Sequence, residues 1–95
     1  MMNNTTTWTP TGDLTLETAL NVLAQGTQKI ADAQAECIVS LEQIKSIDSA
    51  GVAVLLEWQR CANRQRKPFT LINPPVKLLS MIKLCELQNI LHLKV

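Results

Sequence analysis

Hydrophobic and polar positions change period several times along the 95-residue chain, and each change marks an element. Thr7-Trp8-Thr9 and Leu14-Thr15-Leu16 alternate on either side of Pro10-Thr11-Gly12-Asp13, a run with turn chemistry. That pattern predicts an N-terminal antiparallel hairpin over about 8–17. Leu20, Leu23, Ala24, Thr27 and Ile30/Ala31 then recur at helical spacing and predict an amphipathic helix over 18–34. Gly26 weakens that helix by roughly 1 kcal/mol relative to Ala. Cys37-Ile38-Val39-Ser40-Leu41 is a short apolar run without strict alternation, as in a strand covered on both faces. Residues 42–47 read as a loop or short strand extension. The strongest helical pattern covers about 50–65, where Gly51, Val54, Leu55, Trp58 and Ala62 line one side with Val52, Leu56 and Gln59 beside them. So wide an apolar face calls for packing on the sheet and also against a neighbour. Pro68 stops this helix, and Phe69-Thr70-Leu71-Ile72 reads as a strand. Asn73-Pro74-Pro75 opens a last helix with Leu78, Met81, Ile82 and Cys85 on one face. Leu87, Ile90, Leu91 and Leu93 form an apolar tail that either returns to the core or sits on a partner.

Strands alternating with helices predict an α/β domain with a mostly parallel four-stranded sheet, the antiparallel hairpin at its start and about three helices. The length suits a single domain over 1–95, with residues 1–6 expected to be disordered. In such sheets ligands and partners gather at the carboxyl ends of the strands. Ile47-Asp48-Ser49-Ala50-Gly51 falls there, where a strand hands over to the strongest helix.

Composition removes several function classes. A net charge of +1 gives no basis for non-specific nucleic-acid binding, which needs a basic surface. Cys37, Cys61 and Cys85 are odd in number and widely spaced, and each falls in a predicted element as a small apolar residue, so the chain reads as reducing and cytoplasmic. Residues 1–7 lack the basic and apolar regions of a signal peptide, and no segment reaches the roughly 18 apolar residues of a membrane span. Any membrane connection is therefore expected through a partner. His92 is the only histidine and lies in the tail, which leaves no partner arrangement for a nucleophilic relay. No metal-ligand spacing occurs, and three glycines cannot build a phosphate cradle. Neither a cofactor nor a metal is expected, and catalysis is not.

The remaining candidates each carry a plainer explanation. Arg60, Arg64, Arg66 and Lys67 could meet phosphates, but cations at a helix end complement its dipole. Helical spacing assigns Trp58 to the core, whereas Trp8, in a polar hairpin, is the better exposed contact. Asp48 and Ser49 are both good N-caps for the helix that follows. Alternatively, Ser49 is a docking or regulatory hydroxyl at an exposed helix start. Phosphorylation there would add about −1.5 to −2 charge beside Asp48.

Ile47-Asp48-Ser49-Ala50-Gly51-Val52-Ala53-Val54-Leu55-Leu56 resembles the signature of STAS domains, in which an acid, a Ser or Thr, a small residue and Gly open the helix after a central strand. The resemblance runs from about Trp8 to Leu93. It is nearest to the MlaB-like STAS subunits of bacterial ABC transporters that maintain outer-membrane lipid asymmetry. Trp8 before Thr11-Gly12-Asp13-Leu14, Leu55-Leu56-Glu57-Trp58, and Leu71-Ile72-Asn73-Pro74-Pro75-Val76-Lys77-Leu78 carry that likeness. The resemblance implies a non-catalytic subunit that binds the transporter ATPase, cytoplasmic and peripheral to the inner membrane through that partner. Asp48, Ser49, Ala50 and Gly51 are its implied partner-binding or regulatory residues, with Ser49 expected both to cap and to dock. The alternative it implies is an anti-sigma factor antagonist regulated by phosphorylation of Ser49. Many family members have Asp where this chain has Ser40.

Overall fold

The computed structural model describes residues 5–94. In chain order the elements are β1 (Thr5–Trp8), β2 (Gly12–Leu14), α1 (Ala19–Asp32), β3 (Glu36–Ser40), β4 (Ile44–Ile47), α2 (Ser49–Arg64), β5 (Phe69–Ile72), α3 (Val76–Leu84) and β6 (Leu93–Lys94). Of the segment 1–6 expected to be disordered, residues 1–4 lie outside the described residues, and Thr5 and Thr6 open β1.

The main sheet has the order β1-β3-β5-β6, and every pairing in it is parallel. Registration places Trp8, Val39, Leu71 and Leu93 in one row across the sheet and Cys37 beside Phe69 in the next. Cys37, Val39, Phe69 and Leu71 are buried, whereas Ile38, Thr70 and Ile72, pointing the other way, are only half-buried. The run 37–41 is thus fully covered on one face, and on the other Ser40 is buried while Ile38 is half-buried. Leu55, Trp58, Ala62, Leu78 and Ile82 join those strand residues in one hydrophobic core.

No antiparallel hairpin forms. β2 leaves β1 and pairs in parallel with β4, so the segment 42–47 contains a strand in its own right. A two-stranded hairpin is marginal by itself. β1 gains more by joining β3 under the helices, and Gly12, at φ 93°, redirects the chain between them. Leu14 at the end of β2 is then fully buried in the core.

The buried stripe of α1 is Val22, Gly26 and Ile30, not Leu20, Ala24 and Thr27, which are exposed. Trp58 of α2 explains the rotation. Its indole lies against Gly26, where a Cβ would overlap the ring, and its Nε1–H donates to the Leu23 carbonyl at 3.2 Å. Trp8 is half-buried and meets Trp58 edge-on, with centroids 5.5 Å apart and planes at 61°. It therefore serves the core more than an exposed contact. The neighbour demanded by the wide face of α2 is α1.

The tail returns to the domain. Leu91 is buried, Leu87 and Leu93 pack on the core, and β6 extends the sheet beyond β5. Cys37 and Cys61 are buried free thiols, but Cys85 is exposed at the C-cap of α3 and is not a packing residue. The basic cluster divides its roles: Arg60 and Arg64 flank Glu57 at 3.4 and 3.6 Å. Lys67 Nζ donates to the carbonyls of Ile30 and Ala31 at 2.8 and 3.0 Å and so closes α1, not its own helix.

Candidate partner-binding site

The turn from β4 into α2 is built around one carboxylate. Asp48 is extended (φ −131°, ψ −172°), the usual geometry of an N-cap. Its Oδ1 accepts the Gly51 N–H at 3.1 Å, and its Oδ2 accepts the Leu16 N–H at 3.0 Å. Asp48 N–H in turn donates to the Leu14 carbonyl at 3.3 Å. One residue therefore fastens the start of α2 to the end of β2 and to the loop beyond it. The N–H groups of Leu16 and then Gly51 hold the carboxyl below the usual carboxylate range against the opposing effect of partial desolvation. Ala50 N–H and the charge of Lys77 add to the lowering.

Ser49 is the first residue of α2 and is exposed, and among the described residues no hydrogen bond reaches its hydroxyl. The cap belongs to Asp48, and Ser49 does not share it. Oδ1 of Asp48 already occupies the Gly51 donor that a capping serine would need, and Ser49 stands one position too far along the helix. Its hydroxyl faces outward at the positive end of a 16-residue helix.

Gly51 is buried. A Cβ there would overlap the Leu14 carbonyl oxygen and lie 2.9 Å from its carbon and 3.0 Å from Ile47 Cγ1. The glycine is what allows the first turn of α2 to press against β2. Ala50 is half-buried beside it. Of the four residues singled out in the sequence, Ser49 offers a free polar group, while Asp48 and Gly51 hold it in place.

At the neighbouring strand ends the Ser40 hydroxyl, almost fully buried, donates to Glu42 Oε1 at 3.0 Å and accepts from Asn73 Nδ2 at 3.1 Å. Asn73 adopts φ 53°, a backbone conformation that Asn tolerates better than most residues. A carboxylate is thus present near the end of β3, supplied by Glu42. His92 is exposed in the tail, and among the described residues no group of three or more His, Cys, Asp or Glu is placed to hold a metal ion. Among those residues no helix is long and apolar enough to cross a membrane.

Two exposed leucines escaped the sequence pattern: Leu16, bonded to Asp48 at this turn, and Leu20 on the first turn of α1. Leu16 and Leu20 are 76% and 84% exposed, although helical spacing assigned Leu20 to the core face of α1. The available signal was Gly26, whose spacing with Val22 and Ile30 marks the true buried stripe but escapes any count of large apolar residues.

A family model described as "Mlab, STAS domain" matches residues 4–93. The chain belongs to the STAS domain family. No curated protein matches the sequence. Among solved structures, the TM1081 protein of Thermotoga maritima superposes with a TM-score of 0.83 at 18% identity, covering 98% of this chain and 80% of the other. The anti-sigma factor antagonist SpoIIAA in its unphosphorylated form gives a TM-score of 0.68 at 20% identity, covering 100% of this chain and 84% of the other. Its phosphorylated form, from Bacillus, gives 0.68 at 19%, covering 100% and 87%. At these identities the neighbours establish the fold: an α/β STAS domain with three helices, a four-stranded parallel sheet and a two-stranded parallel pair. STAS domains are generally non-catalytic binding modules.

Proposed function

We propose that this chain is a non-catalytic STAS subunit that binds the ATPase of an ABC phospholipid transporter maintaining outer-membrane lipid asymmetry, and that it supports assembly or activity of that complex. The observation that carries the reading is an exposed, unbonded Ser49 on a rigidly fixed helix start, within a chain whose family match is of the MlaB type. Ser49, on the 48–51 turn that Asp48 and Gly51 hold in place, and the exposed side of α2 form the docking edge. Binding alters ATPase activity by favouring one arrangement of the ATPase over another, since a ligand shifts an equilibrium only through differential affinity. The chain then sits in the cytoplasm, at the inner membrane only through its partner, and uses no cofactor. A net charge of +1 supports a protein partner over nucleic acid.

A second reading is an anti-sigma factor antagonist switched by phosphorylation of Ser49. The accessible hydroxyl and the fold shared with SpoIIAA favour it. Affinity purification of the tagged chain from its native bacterium separates the two. Recovery of an ABC ATPase is expected. Repeated recovery of a serine kinase with no ABC ATPase would overturn the transporter reading in favour of the second.

A further inference from the structure

The loop between β2 and α1 exposes a large leucine yet is not loose. Thr18 Oγ1 accepts from Thr15 N–H at 3.1 Å and donates to the Asp13 carbonyl at 2.7 Å, and Thr18 N–H donates to the Thr15 carbonyl at 3.1 Å. Asp48 Oδ2 holds Leu16 N–H from outside the loop, 32 positions along the chain. A side chain 76% exposed on a backbone fixed at four points has already lost much of the freedom that binding would remove. Leu20, on the first turn of α1, is 84% exposed.

The charge pattern narrows what can cover it. No lysine or arginine occurs between Leu16 and Gln28 or between Ser49 and Leu56, and the charge beside Leu16 is the exposed acid Glu17. An anionic lipid surface or a nucleic acid would call for cations on this face. An apolar protein surface free of acids is its complement.

We infer that Leu16 and Leu20 are the apolar anchors of the docking surface, that Asp48 is the residue positioning Leu16 beside Ser49, and that their occupant is an apolar depression on the same ATPase subunit. The inference rests on the transporter reading, because Asp48 makes the leucine loop continuous with the edge assigned to docking there. Leu16 and Leu20 supply contact area, Ser49 supplies the polar contact, and Asp48 fixes Leu16 relative to Ser49 without touching the partner.

The test is the affinity of the full-length chain for the purified ATPase, with the double variant Leu16→Ser/Leu20→Ser and the variant Asp48→Ser. Both leucines are exposed, so the double variant should keep the wild-type circular dichroism and melting temperature while losing at least about tenfold in affinity. In Asp48→Ser the serine can still cap α2 but cannot reach Leu16 as well. Amide exchange at Leu16 should accelerate, affinity should fall, and adding the leucine changes should cost less than in the wild-type background. A merely structural Asp48 would give additive losses and would overturn its positioning role. Wild-type binding with an unchanged double variant would overturn the anchors while leaving the transporter reading intact. Failure of the wild-type chain to bind would overturn both. Loss of self-association in the double variant, with ATPase affinity unchanged, would assign the face to a second copy of the chain and overturn the inference.

Discussion

Replacing Gly51 with Ala tests the geometry that presents Ser49. In an isolated helix the change would stabilise, since Ala exceeds Gly by about 0.8–1.0 kcal/mol. Here the new Cβ overlaps the Leu14 carbonyl oxygen and stands 2.9 Å from its carbon. The obstacle is backbone, so no side-chain rotation relieves it. Either β2 lifts from α2 or the first turn of α2 shifts outward. Lifting β2 displaces fully buried Leu14 and lengthens the Asp48 N–H to Leu14 carbonyl bond, already 3.3 Å. Overpacking of this kind costs about 1–3 kcal/mol and a lost backbone hydrogen bond about 0.5–1.5. Setting the helix gain against these leaves a net destabilisation of about 0.5–3.5 kcal/mol. For a domain of this size each kcal/mol lowers Tm by about 4–8 °C. Urea denaturation should show a lower midpoint with an unchanged slope, because the folded core is otherwise the same. A Gly51→Ala protein as stable as wild type, or more stable, would refute the close approach of α2 to β2.

Two further outcomes follow from the same contacts. Gly26→Ala also places a methyl group into a neighbour, the Trp58 ring, so thermal melting should show a net loss of about 1–2 kcal/mol despite the better helix former. Tryptophan fluorescence should report the displaced indole. Because folding lowers the Asp48 pKa, its contribution to stability is complete above the unfolded value of about 3.9 and is lost as pH falls through the folded value. Asp48→Asn should therefore flatten the acid limb of the stability–pH curve, and an unchanged limb would show that the carboxylate is not held by its backbone partners.

The amphipathic pattern of residues 50–65 was legible because Val54, Leu55, Trp58 and Ala62 repeat one face whatever they pack on. Phe69-Thr70-Leu71-Ile72 was equally clear, bounded by Pro68 and Asn73. Strand pairing was not. Pro10-Thr11-Gly12-Asp13 carries hairpin chemistry, but the choice between folding back and joining β3 depends on burial gained with residues about 30 positions away. β6 has two residues, too few for a period, and only its register with Leu71 and Ile72 defines it. At the site, Asp48 and Ser49 were recognisable as capping types, yet which of them caps depends on the backbone angle at Asp48. The bond from Leu16 to Asp48 joins segments 32 positions apart and leaves no local signal. The spacing of Gly26 with Val22 and Ile30 was there to be read, but not that the Trp58 ring fills the place of its side chain.

The central claim is that Ser49 lies at a partner interface and has no part in holding the fold. Ser49→Glu isolates it, because an acid in the first turn suits the helix dipole and Asp48 retains the cap. The direct measurement is the equilibrium affinity of this variant for the transporter ATPase, beside its thermal unfolding. A Tm close to that of wild type is expected, with binding weakened at least about tenfold, the effect of setting an unpaired charge against the partner. Wild-type affinity in Ser49→Glu would contradict it.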